Sequence, residues 1–105
     1  MIKHIALFKL KDEANGRNKK ENIERIAVNI HGLESAIKEI HSIEVAPIYI
    51  DADSPYPSYD LAVYAEFSSK EDYDIYFHHP IHQQAAAFAA SVSDQVAAIT
   101  YKETL

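Results

Sequence analysis

The 105-residue sequence contains no cysteine. Disulfides, thiolate metal sites, a cysteine nucleophile and redox chemistry through sulfur are therefore excluded, a composition that fits a reducing compartment. Long apolar runs are also missing. Met1-Ile2-Lys3-His4-Ile5 alternates polar and apolar residues from the outset, unlike the apolar stretch of a signal peptide, and no window approaches a membrane span. A soluble, cytoplasmic protein with no membrane partner is expected. Clustered cations are absent too: no basic run exceeds Lys19-Lys20 and the net charge is -6. Binding to a phosphate backbone needs a positive stripe, so no nucleic-acid partner is expected.

What the chain does have is 48% apolar residues, enough for the core of one domain, expected over residues 1–105. Residues 2–11 alternate with apolar side chains on both faces, which predicts a strand covered on both sides. His4, Ala6 and Phe8 share one face; Ile5 and Leu7 share the other. After a polar turn with Asn15-Gly16, Asn18 and Glu21 have capping-box spacing. Ile23, Ile26, Ala27 and Ile30 then recur at helical intervals up to an expected stop at Gly32. A second strand is read within residues 37–49, and Pro47, which has no amide proton to give to a ladder, puts it at a sheet edge. Residues 51–58 read as a loop and residues 59–67 as a third strand. Ser68 and Glu71 are spaced as a second capping box, opening a helix over residues 70–78. Pro80 disfavours helical geometry at His79 and suits the first position of a new helix, so the chain breaks there and resumes through the alanine-rich residues 81–91. Residues 96–102 form the last strand.

Right-handed crossovers convert this order into a ferredoxin-like (split βαβ) α+β fold, a four-stranded antiparallel sheet with helices on one face. The other face carries Ile5 and Leu7 and, by parity, Ile43 and Val45. A second copy of the chain is its simplest cover, so a homodimer is expected.

Chemistry is expected around Tyr76-Phe77-His78-His79-Pro80-Ile81-His82, where three imidazoles and a phenol surround a helix-breaking proline, with His4 on the first strand. Imidazole titrates near neutral pH and tyrosine donates a hydrogen bond, a pair suited to proton transfer on a carbonyl compound. Plainer roles compete. His82, in the first turn of a helix, could simply bond a backbone group; His4 could be a core histidine satisfied by a neighbour; and Tyr76, one of seven tyrosines, could only pack. No metal is expected, because the break at His79 spoils regular ligand spacing among His78, His79 and His82. Asp51, Asp53 and Asp60 flank a loop and are read as solvated acids rather than cation ligands, and His31 and His41 as ordinary surface residues.

The segments Met1-Ile2-Lys3-His4-Ile5-Ala6-Leu7-Phe8-Lys9-Leu10, Ser58-Tyr59-Asp60-Leu61, Tyr64-Ala65-Glu66-Phe67 and His79-Pro80-Ile81-His82, in this order, resemble the stress-responsive A/B barrel family. That resemblance implies a homodimeric α+β barrel in which two sheets close around a shared interior. Most members have no assigned reaction, and plant relatives are described as stress-linked. One branch resembles plant polyketide cyclases, which close a linear poly-β-ketone by intramolecular aldol condensation without a cofactor. In that branch a histidine matching His82 acts as base, a tyrosine matching Tyr76 orients or polarises the substrate, and a strand histidine matching His4 lines the pocket. The resemblance thus implies catalytic His82, Tyr76 and His4, with Phe8, His79 and Phe88 contacting a small organic ligand in a largely apolar cavity. It also assigns the face of His4, Ala6 and Phe8 to that cavity. The alanine-rich helix from Ala85 to Ala90 departs from the cyclase branch, where small residues either widen a pocket or tighten helix packing. Two alternatives stand beside the enzyme: a non-catalytic ligand-binding or stress-associated dimer and, on fold analogy, a cofactor-independent monooxygenase.

Overall fold

The computed structural model describes residues 1–49 and 52–103. Strand β1 (Ile2–Leu10) leads into a short hairpin, β2 (Glu13–Ala14) and β3 (Arg17–Asn18), followed by helix α1 (Lys19–Ala36) and strand β4 (Ser42–Pro47). Then come β5 (Leu61–Phe67), α2 (Lys70–His78), α3 (Pro80–Ser91) and β6 (Ser93–Lys102). The order β4-β5-β1-β6, antiparallel throughout, is the ferredoxin-like arrangement expected from the sequence. Pro47 lies in an edge strand, where its missing N–H costs no ladder bond. Among the described residues no helix is long and apolar enough to cross a membrane.

Local chemistry sets the start of α1. Asn18 Oδ1 accepts the Glu21 N–H at 2.9 Å and Glu21 Oε1 accepts the Asn18 N–H at 3.1 Å, a reciprocal capping box. Just before it, Asn15 and Gly16 have φ of 55° and 77°, the two left-handed residues that a type I′ turn requires, so the expected polar turn is a tight hairpin. The buried Asn22 pins that hairpin by donating to the Ala14 carbonyl.

Gly32 does not end the helix. The chain stays helical to Ala36, and the Ile37 N–H closes the last turn on the Leu33 carbonyl at 2.9 Å. Leu33 and Ile37 continue the apolar stripe and are fully buried. Burying each contributes roughly 1.5–3 kcal/mol, which outweighs a mid-helix glycine at about 1 kcal/mol. The second cap is also shifted by one residue. Ser69 rather than Ser68 accepts the Asp72 N–H, at 3.2 Å.

Strand pairing decides which side chains meet the helices. His4, Ala6, Phe8 and Leu10 of β1 and Leu61, Val63, Ala65 and Phe67 of β5 are buried beneath them. Ile43 pairs with Ala65 and Val45 with Val63, so these two also point to the helix side and pack on the core. The expectation that they lie on the opposite face is therefore corrected. Alternation within β4 defines two faces, but only its register against β5 says which one is covered. The opposite face carries Ile5 and Leu7 paired with Ile99 and Ala97, and Ile99 is 60% exposed.

Asp60 is structural. The β1–β6 register slips between Lys9 and Leu10, and there the Leu10 N–H donates to Asp60 Oδ2 at 2.8 Å, with Lys19 Nζ 3.4 Å away. Asp51, grouped with it in the sequence reading, lies outside the described residues. Among those residues no cluster of three or more histidines and acids is arranged to hold a metal ion.

Candidate functional site

The helix break aims one histidine of three at the interior. His79 has extended backbone (φ -66°, ψ 133°) between α2 and α3, and Pro80 follows at the first turn of α3. His79 Nδ1 accepts the Ile81 N–H at 3.1 Å and so caps α3 with its imidazole. His78 turns outward, its Nδ1 donating to the Asp74 carbonyl at 2.9 Å. His82, in the first turn of α3, faces a cavity of about 270 Å³ between the sheet and the helices. His4, Phe8 and Tyr76 line the same cavity.

Two residues expected there sit elsewhere. His79 is spent on the cap. Phe88 lies off the stripe that starts at His82 and packs beside α1, with the Arg25 guanidinium carbon 5.6 Å from its ring centroid. The stripe itself, at i+3, i+4, i+7 and i+8 from His82, is Ala85, Ala86, Ala89 and Ala90, and all four form cavity wall. Of the two readings open for these alanines, they widen the space. Phe77, within the stretch singled out in the sequence, completes the wall together with the β6 residues Val96 and Ala98, which the sequence reading missed. Their signal was parity: Val96 pairs with Phe8 and Ala98 with Ala6 across the β1–β6 ladder.

His82 Nδ1 lies 3.0 Å from the Phe77 carbonyl. A carbonyl only accepts, so in the neutral ring Nδ1 carries the proton and Nε2 the lone pair. Burial lowers the His82 pKa; the bond to Phe77 opposes this and His79 adds to it. Tyr76 is 2% exposed, its ring centroid 4.2 Å from that of His82. Burial, reinforced by Tyr73, pushes its phenol well up, so it remains a hydrogen-bond donor at neutral pH. His4 is 8% exposed and places Nδ1 2.8 Å from Thr100 Oγ1. Burial lowers its pKa and the nearby His82 lowers it further, against a hydrogen bond to the Ile99 backbone. Among the described residues the wall contains two neutral imidazoles and one phenol, with no lysine, arginine, aspartate or glutamate.

This arrangement has a consequence for acid stability. Both imidazoles bind a proton less readily folded than unfolded, so their contribution is complete above the unfolded value of 6.5 and is lost as pH falls through it toward the depressed folded values. The melting temperature is expected to drop from about pH 6.5 to about pH 5, above the range where most carboxylates titrate. Differential scanning calorimetry checks it, and a His4→Asn, His82→Asn double variant flattens the slope. A wild-type profile that is already flat across this window contradicts the burial of neutral rings.

Solved structures share both the fold and nearly the full length of the chain. A dimeric protein of unknown function with a ferredoxin-like fold from Bacteroides fragilis is 30% identical, the match covering 96% of this chain and 94% of that one at a TM-score of 0.78. A protein from Arabidopsis thaliana is 25% identical over 100% of this chain and 97% of its own, at 0.84. A hydroxynitrile lyase from Passiflora edulis has the same fold at 18% identity, 99% and 95% coverage and a TM-score of 0.81. No curated protein matches the sequence. The profile of the stress responsive A/B barrel domain matches residues 2–103, and the chain belongs to that family.

Proposed function

We propose that the protein is a single-domain, cytoplasmic homodimer whose cavity binds a small neutral carbonyl compound and, without a cofactor, moves a proton on it. His82 is the base and Tyr76 the hydrogen-bond donor. One observation carries this reading: the Phe77 carbonyl holds the His82 proton on Nδ1, leaving the Nε2 lone pair in an apolar cavity whose other polar wall includes a protonated phenol. Nε2 removes a proton from carbon beside the carbonyl, the electron pair moves onto the carbonyl oxygen, and the Tyr76 hydroxyl stabilises that oxygen.

The wall also restricts the substrate. With no cation among the described residues of the cavity wall, nothing there compensates the desolvation of a carboxylate or phosphate, so the ligand is neutral. A volume of about 270 Å³ lies at the small end of ligand pockets, favouring a short aldehyde, ketone or β-dicarbonyl over an extended polyketone. The homodimer is supported by the exposed apolar sheet face around Ile99 and by several structures of this fold described as dimeric.

The test is hydrogen exchange in D₂O, followed by proton NMR, for a panel of short β-dicarbonyls and aldehydes. Cyanohydrins join the panel because a hydroxynitrile lyase shares the fold. Exchange or cleavage above the buffer rate, in at least one compound, is the expected result. Ligand-induced shifts of cavity resonances across the panel with no reaction in any member would overturn the catalytic reading in favour of a binding dimer.

A further inference from the structure

The two cavity histidines are tethered differently. His82 Nδ1 ends on a backbone carbonyl, which accepts a proton bond but has no proton to hand on. His4 Nδ1 ends on the Thr100 hydroxyl at 2.8 Å, and Thr100 Oγ1 donates onward to the Tyr73 hydroxyl at 3.2 Å. A hydroxyl both accepts and donates, so this second tether continues where the first stops. Thr100 and Tyr73 in turn line a groove on the outside of the molecule, together with Ile2, Lys70, Tyr101 and Lys102.

We propose that Thr100 and Tyr73 are positioning residues that fix the tautomer of His4 and connect its ring to solvent in the outer groove. This rests on the reading of the cavity as a proton-transfer site. Thr100 has a single proton. Donating it to Tyr73 obliges Thr100 to accept from His4, which places the His4 proton on Nδ1 and its lone pair on Nε2. When Nε2 takes a proton from the cavity side, Nδ1–H passes its proton to Thr100 as the threonine proton moves to Tyr73 and the Tyr73 proton leaves to water. One proton enters and one leaves, and His4 ends neutral as the other tautomer, able to return a proton from Nε2.

The rest of the enclosure makes such a route useful. The exposed residues of the wall, Phe77 and Val96 at 41% and 48% with Ala86, Ala90 and Ala98, are all apolar. A bound ligand at that rim displaces water, and His82 has no relay behind it. With a ligand filling that mouth, the threonine–tyrosine path gives the cavity an exchange route on its sheet side.

The first readout is the tautomer of each imidazole in the whole protein, measured by long-range proton–nitrogen NMR at a pH where the rings are neutral. Wild type is expected to show His4 protonated on Nδ1. Thr100→Val loses that single tautomer, Thr100→Ser restores it, and His82 is unchanged in both as a control for the fold. The second readout uses Tyr73→Phe, which keeps the ring that packs on Phe67 and His4 but removes the hydroxyl. Exchange of the His4 ring proton with water is expected to slow, and with an identified substrate kcat falls while KM holds. A His4 tautomer indifferent to Thr100→Val, or ring-proton exchange as fast in Tyr73→Phe as in wild type, overturns the proposal. Neither spectrum needs a substrate, so a failure of the proposed reaction is seen separately.

Discussion

Replacing His82 with asparagine is expected to lower turnover by about 10² to 10⁴-fold, the usual contribution of a positioned general base, with little change in melting temperature. The choice of side chain makes the test specific. The asparagine amide nitrogen falls near the place of Nδ1 and can still donate to the Phe77 carbonyl, so the tie to the end of α2 is kept. What it lacks is any group at Nε2. His82→Gln reverses the comparison: its amide reaches toward the Nε2 position and gives up the Phe77 bond. Both variants lose the base, so both lose turnover, whereas a purely structural His82 predicts that asparagine is nearly silent and glutamine is the damaging change. Rates of carbon–hydrogen exchange alongside thermal unfolding distinguish these two patterns. Turnover that survives in His82→Asn removes Nε2 from the mechanism and leaves His4 as the base facing the cavity.

Much of this site was legible because its determinants are local. Pro80 dictates extended backbone at His79 and the restart of a helix, whereas the inward placement of His82 came from the family resemblance and is set by how α3 packs on the sheet. The Asn18–Glu21 cap and the edge position of Pro47 were readable for the same reason: each follows from the chemistry of a few adjacent residues. Errors arose where a distant partner decides. Ile43 and Val45 alternate correctly, yet their face is set by pairing with Ala65 and Val63, some twenty residues on. Gly32 carries a local stop signal that the burial of Leu33 and Ile37 overrides. Phe88 is apolar and near His82 in sequence, but a helix turns 100° per residue and carries its ring to the α1 side. Thr100 and Tyr73 could not be connected to His4 at all without the β1–β6 register that pairs His4 with Thr100. The sheet pairs Thr100 with His4 and the packing of α2 brings Tyr73 to both; nothing in the local sequence marks them.

Phe67→Ala is expected to be the most destabilising single change in the neighbourhood of the site, costing about 3–5 kcal/mol. Phe67 is fully buried, with ring centroids 5.4 Å from Tyr73 and 4.8 Å from Tyr76, so it is the floor on which both tyrosines rest. Truncation removes most of its apolar surface and leaves a void that the β-sheet backbone cannot close, since Phe67 is tied to Ile2 across the two central strands of the sheet. Domains of this size are stable by about 5–15 kcal/mol in total, and each kcal/mol moves the midpoint by roughly 4–8 °C, so the melting temperature should fall by on the order of 12 °C or more. Because the proposed dimer would make that midpoint depend on concentration, variants must be compared at one protein concentration. Phe67→Leu refills part of the void and should recover more than half of the loss. The loss also reaches the chemistry. Tyr76 is held against His82 by what lies behind it, and a ring free to sink into the void withdraws its hydroxyl from the cavity. Ligand affinity measured by calorimetry below the new midpoint should therefore weaken in Phe67→Ala and recover in Phe67→Leu. A variant that loses stability but binds as wild type would mean that His82 and the α3 alanines alone hold Tyr76 in place.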